Sequence, residues 1–217
     1  MRAALASAAC ALVVGGLIDA GTAPAEARPQ TTLGRSDFPT IGAVAKQYPH
    51  FRGGSVDLFR SSRQATDLPS ADCTGYDTSS VRVQRSRIAD YLMRGGETAY
   101  FHGLADPTVA VYLYATHAGA AGALAELRHE LGRCWGTHGD SSYAVTYQSR
   151  PMPKLGADRL AYRRTTQQAG MGKDYAAETW VRDGRFLVNT RVQLDPAPPR
   201  LQPLYGLSRA AVAAAGR

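Results

Sequence analysis

Between residues 109 and 135 the hydrophobic pattern changes period, and the rest of the chain is read around that change. Val109, Val111 and Leu113 alternate with Ala110, Tyr112 and Tyr114, the period of two that marks a half-buried strand. After Thr116 the period lengthens. Leu124, Leu127, Leu131 and Cys134 recur at helical steps and form the apolar stripe of an amphipathic helix. The Thr116 hydroxyl is suited to accept from a free N–H of the first turn. Gly136 is a stop signal, because glycine takes the left-handed conformation at little cost. One strand therefore feeds one helix that ends at a cysteine.

The same reading extends along the chain. Residues 41–48 suit a short helix, broken by Gly53-Gly54, and residues 67–75 form a loop that ends near Cys73. The apolar positions Val81, Ile88, Tyr91 and Leu92 suit a helix better than a strand over 81–93, with a short strand over 97–102. After the central helix, 137–142 is polar, 143–149 alternates, 160–166 reads as a strand and 167–174 as a loop. Residues 177–194 are the clearest hairpin, with Asp183-Gly184 as its two-residue turn. That turn sets Val181 opposite Phe186, Thr179 opposite Val188, Trp180 opposite Leu187 and Arg182 opposite Arg185. Val181, Phe186, Thr179 and Val188 then share the core face with Thr190 and Val192. The other face carries Trp180, Arg182, Arg185 and Arg191 together with Glu178 and Asn189. Residues 195–203 hold four prolines and cannot stay in a sheet. Ser208 then caps a short alanine-rich helix to Ala215. These elements predict an α+β fold, a mostly antiparallel sheet of about five strands with flanking helices.

The start of the chain has a different character. Arg2 precedes an apolar run from residue 3 to 18, and Ala25-Glu26-Ala27 offers the small-x-small pattern of a cleavage site. The expectation is an export signal over 1–27 cleaved near Ala27, a flexible leader over 28–37, and one domain over 38–217. The run is short for a membrane span, which needs roughly 20 apolar residues, and no later segment is apolar enough to cross. An uncleaved anchor is the alternative. The protein is then secreted or associated with the cell envelope.

The whole chain carries a formal charge of +7. Its basic residues are mostly scattered arginines with no Lys/Arg run, so an ordinary charged surface is expected and no nucleic-acid partner. Removing the signal leaves two of the three cysteines, Cys73 and Cys134. In an oxidising compartment these most simply form one disulfide. Two free thiols, or one reactive thiol, are the alternatives.

No catalytic motif stands out. There is no G-x-S-x-G elbow, no H-E-x-x-H and no glycine-rich phosphate loop. His129-Glu130 lacks a second histidine at metal-ligand spacing. Neither a metal nor a cofactor is expected. The candidate chemistry is a binding face: Tyr112 and Tyr114 on the strand, and Trp180, Arg182, Arg185 and Arg191 on the hairpin. Aromatic rings beside arginine forks suit an anionic or sugar-containing ligand, through stacking and bidentate hydrogen bonds. The plainer alternative is that Trp180 packs beneath a helix with the arginines solvated at its rim.

The order of motifs resembles a known family. A loop ending LPSADC, a strand VAVYLYAT and a helix AGALAELRHELGRC are followed by LGADRLAYRRT, a hairpin AETWVRDGRFLVNTRV and an alanine-rich helix. This is similar to the PknH-like extracellular sensor domains of actinobacteria, over residues 69–215. The resemblance implies an α+β domain with an antiparallel sheet, flanking helices and a ligand-binding cleft whose ligands are generally unknown. Cys73 and Cys134 match a disulfide expected of such domains. The chain departs from the kinase-linked members, which can carry a second disulfide, and it shows no kinase domain or later membrane helix. The reading is therefore an exported, non-enzymatic sensor-like domain that binds an extracellular small molecule or cell-envelope component. A small secreted hydrolase acting on the envelope is the alternative from another class. A basic protein docking to anionic wall polymers is a third.

Overall fold

The structure, a computed structural model, describes residues 31–215. The expected export signal over 1–27 lies outside the described residues. Among the described residues no helix is long and apolar enough to cross a membrane. In chain order, the first helix α1 is Ile41–Gln47 and the first four strands are β1 Ser55–Leu58, β2 Asp67–Pro69, β3 Tyr76–Thr78 and β4 Arg85–Leu92. Next come β5 Asp106–Leu113, α2 His117–Arg133, β6 Gly136–Gly139, β7 Tyr143–Ser149, β8 Asp158–Gln168, β9 Gly172–Asp183, β10 Phe186–Leu194 and α3 Leu201–Ala215. Eight strands form one sheet in the order β1-β4-β5-β10-β9-β8-β7-β6, and β2 and β3 pair separately. Every neighbouring pair is antiparallel. The architecture is α+β as expected, with eight strands in the main sheet rather than about five.

Both faces of the sheet are covered, which follows from the alternation in β5. Val109, Val111 and Leu113 meet Ala177, Val181, Val188 and Val192 beneath α1 and α3. Ala110, Tyr112 and Tyr114 meet Tyr162, Trp180 and Leu187 beneath the Leu124, Leu127 and Leu131 stripe of α2. Burying two faces doubles the apolar area that one sheet withdraws from water. The Thr116 side chain accepts from the Gly119 N–H at 3.0 Å, as a cap should. Cys134 is the C-cap of α2 and is bonded to Cys73. Glu126 on α2 accepts from the Ser80 N–H at 3.1 Å and from the Ser79 hydroxyl. The segment carrying β2 and β3 is thus tied to α2 at both ends.

Several expectations are corrected. Residues 81–93 contain β4, not a helix. Its Ser86, Ile88 and Asp90 alternate with Arg87, Ala89 and Tyr91, but both faces mix polar and apolar residues, which hides the period of two. The expected strand over 97–102 is a single 3-10 turn at Tyr100–His102. Gly136, expected as the helix stop and with φ of +108°, opens β6, which runs to Gly139 into the stretch read as polar. The loop expected over 167–174 shrinks to three residues because β8 and β9 run further than their apolar cores. Within the leader expected over 28–37, Leu33 joins the core and Arg35–Asp37 forms a 3-10 turn, so packing begins before Phe38.

The hairpin register is corrected by two residues. Gly184 and Arg185 are the central turn residues, with Asp183 opposite Phe186. Gly184 has φ of +57°, and a glycine at the first central position is what a II′-type turn needs. Val181 therefore pairs with Val188, Trp180 with Asn189, Glu178 with Arg191 and Arg182 with Leu187. A slip of two preserves the faces, because side chains alternate with period two. Finally, Ser208 does not cap α3. The helix starts at Leu201, with Pro203 in its first turn, where a missing N–H costs nothing.

Candidate functional site: a polar cavity on the aromatic face of the sheet

The face beneath α2 is aromatic along β5, β8 and β9. Along the strands, away from the β9–β10 turn, it becomes polar at the Glu178–Arg191 pair. Tyr112 and Trp180 stack with ring centroids 5.8 Å apart. Next to them Glu178 is only 5 % exposed. Burial of a carboxylate requires partners, and three converge on it. The Tyr162 hydroxyl donates to Glu178 Oε2 at 2.8 Å, Asn189 Nδ2 donates to the same oxygen at 3.4 Å, and Arg191 Nε stands 3.9 Å from Oε1. The register explains the grouping: Tyr162, Glu178 and Arg191 lie directly across neighbouring strands.

These residues line a cavity of about 90 Å³ whose mouth is formed by Asp67 of β2 and Tyr76 of β3. The volume is well below the roughly 300–1,000 Å³ of common small-molecule sites. Its size matches the end group of a small molecule, not a whole one. Tyr76 is 49 % exposed, and the Arg164 guanidinium lies 4.9 Å from its ring centroid. Asp67 sits at the surface, yet partial burial and the nearby Glu178 raise its carboxyl above the usual range, with Arg191 opposing them. Burial and Glu178 likewise push the Tyr162 phenol well up. Tyr147, whose ring is 6.1 Å from that of Tyr162, is pushed up to about 12, mainly by burial. All these phenols are neutral donors at neutral pH.

Two donor atoms of the lining stand out. Arg191 Nε and Trp180 Nε1 are buried without a hydrogen bond of ordinary geometry, although the Trp180 N–H still bears on the Tyr162 hydroxyl. Buried polar groups are nearly always paired; here Arg191 Nε has only its 3.9 Å ion contact with Glu178 and Trp180 Nε1 only the Tyr162 hydroxyl, so both donors are weakly satisfied.

Of the six residues expected to bind, Tyr112, Trp180 and Arg191 come together here. Tyr114 does not reach the cavity. It is fully buried, and its hydroxyl pairs with Thr66 Oγ1 at 2.8 Å. Arg182 lies toward the turn end of β9, near Asp158, and Arg185 is in the turn itself. Sequence reasoning did not assign Tyr162, Glu178 or Asn189 to the site, although the parity of the strands places all three on the Trp180 face. Asp67 and Tyr76 had no signal of their own. They reach the site only because the cystine and Glu126 fold their hairpin over the sheet.

No family model and no curated protein matches the chain. Among solved structures, the extracellular domain of PknH from Mycobacterium tuberculosis superposes with a TM-score of 0.55 at 11 % identity, over 86 % of this chain and 96 % of that one. The chain shares the fold of that domain. An uncharacterised protein of Mycobacterium smegmatis, ortholog of Rv0999, superposes with a TM-score of 0.47 at 10 % identity, over 83 % of this chain and 98 % of that one. The PknH-like fold had been expected from the order of motifs alone, and the Cys73–Cys134 disulfide is present.

Proposed function

We propose that this protein is an exported, non-catalytic sensor-like domain that binds a sugar-bearing component of the cell envelope through the Glu178 cavity. The observation that carries the reading is a pair of weakly satisfied donors, Trp180 Nε1 and Arg191 Nε, in residues of a cavity walled by stacked aromatic rings. The charges choose between the anion and the sugar. Arg191 and Arg164 are faced by Glu178, Asp67 and Asp174, so an added anion meets carboxylates that already neutralise the cations. A hydroxylated ring meets donors and acceptors of both kinds and an exposed Tyr76 face for stacking. Export is supported by the apolar run and cleavage pattern over 1–27 and by a solved counterpart that is an extracellular domain. A hydrolase reading has no comparable support: Glu178 is engaged by Tyr162, Asn189 and Arg191.

The test is a thermal-shift series with monosaccharides and envelope oligosaccharides. A ligand at about 100 times its Kd adds roughly 2.7 kcal/mol to folded stability, an evident rise in Tm. The expected result is a rise with at least one saccharide that Arg191→Ala reduces by about tenfold in affinity. No rise with any saccharide, or a rise that Arg191→Ala leaves intact, rejects the reading.

A further inference from the structure

A second groove shares no residue with the Glu178 cavity. Strand β7 ends where Ser149 pairs with Tyr162. Upstream of Tyr162 the outer edge of β8 loses its strand partner, apart from the Arg150 N–H bonded to the Ala161 carbonyl at 2.9 Å. The C-terminal half of α2 stands over this bare edge, and a groove of about 430 Å³ lies between them. That volume is within the roughly 300–1,000 Å³ of small-molecule sites.

The lining has two halves. Leu131, Leu160, Met152 and Trp135 are apolar, and Trp135 is 41 % exposed, a large ring left facing solvent. Arg150 and Arg159 supply the other half. A nearby carboxylate, Asp158, is already bound by the lining residue Arg128 through both oxygens, at 2.9 and 3.2 Å. It also accepts from the Arg159 N–H at 2.8 Å. Among the described residues Arg150 and Arg159 form no ion pair. Arg150 Nε is buried without a hydrogen bond, while its Nη2 donates to the Gln148 side chain and Arg159 Nε donates to the Met152 carbonyl at 3.4 Å. Arg163, a neighbour of Arg150, has its guanidinium pKa lowered by burial and by the Arg150 charge. Arg150 and Arg159 thus bring two guanidinium groups without a carboxylate partner to the lining of one groove, and an anion relieves that arrangement.

We propose that this groove binds an anionic amphiphile: a phosphate or carboxylate held by Arg150 and Arg159, with an acyl or other apolar body laid along Trp135, Leu131, Leu160 and Met152. A free anion uses only half of the lining, and a neutral apolar molecule leaves the guanidinium pair uncompensated.

Three probes separate the sources: octyl phosphate below its micellar concentration, inorganic phosphate and 1-octanol. In a Trp180→Phe chain, Trp135 is the sole tryptophan, and its emission reports the groove directly. Calorimetry on the unsubstituted chain repeats the comparison independently of that substitution. Octyl phosphate is expected to shift Trp135 emission to the blue and to bind at least about tenfold more tightly than either other probe. Its affinity should fall by about tenfold or more in an Arg150→Gln, Arg159→Gln double variant, and with a rise in salt from about 50 to about 500 mM. Octanol binding as well as octyl phosphate overturns the anionic half of the proposal. Inorganic phosphate binding as well overturns the apolar half. Unchanged affinity in a double variant with native circular dichroism overturns the assignment of the arginines. The saccharide series reads a different cavity, so failure of either proposal leaves the other standing.

Discussion

Single side chains show how the protein handles polar groups under its sheet. Asp106, at the start of β5, is half-buried beside Asp90. Burial first and Asp90 second push its carboxyl up to about 6, against the N–H groups of Ala99 and Tyr100. An unfolded aspartate titrates near ~4, so the folded protein holds this proton more tightly. Stability contributed by the protonated form is lost as pH rises from about 4 to about 6 and is then level. Asp106→Asn should therefore raise Tm at pH 7 and change it little at pH 4, and melts across that range check the slope. Solvent access holds the effect to the order of 1 kcal/mol. On the other face, the Thr179 and Ser208 hydroxyls meet at 2.6 Å between β9 and α3, and Ser208 also reaches the Leu204 carbonyl at 2.8 Å. Ser208→Ala leaves Thr179 with only a 3.5 Å contact to the Thr190 carbonyl. The expected loss is about 1 kcal/mol, read as a lower urea midpoint at unchanged m-value.

Among the elements, α2 does the most to position the candidate site, since it holds the β2–β3 hairpin over the sheet. The cystine spans a sequence separation of 61. In the chain-entropy model a loop of that size is worth about 4 kcal/mol. Reduction, or Cys73→Ser with Cys134→Ser, should lower unfolding stability by up to that amount. It should also weaken any ligand of the Glu178 cavity, because Asp67 and Tyr76 depend on the tether. Denaturation with and without reductant, paired with the saccharide melts, checks both. The strand-to-helix unit of β5 and α2 was legible because its two periods are clean and Thr116 marks the junction. The faces of β9 and β10 were legible for a related reason: the turn was misplaced by two, and parity survives an even slip. Strand β4 was not, because a strand buried on both faces and interrupted by Ser86 and Asp90 loses its alternation. Half of the cavity was equally hidden. Tyr112, Trp180 and Arg191 could be grouped by parity, but Asp67 and Tyr76 arrive through a long-range covalent bond that no local pattern encodes.

Over the whole molecule, the sheet falls into two stretches of sequence. Strands β6 to β10 form an unbroken antiparallel meander, while β1, β4 and β5 come earlier in the chain. The two stretches meet only where β5 pairs with β10, Val109 opposite Thr190 and Val111 opposite Val188. One of the two central strands of the sheet is thus the last strand of the sequence. During synthesis the earlier strands wait for it with an open hydrogen-bonding edge, and so does β9. Such contacts between distant segments slow folding, and unpaired edges template association with other chains. A chain that stops before Phe186 should therefore accumulate as insoluble material rather than as a smaller folded unit.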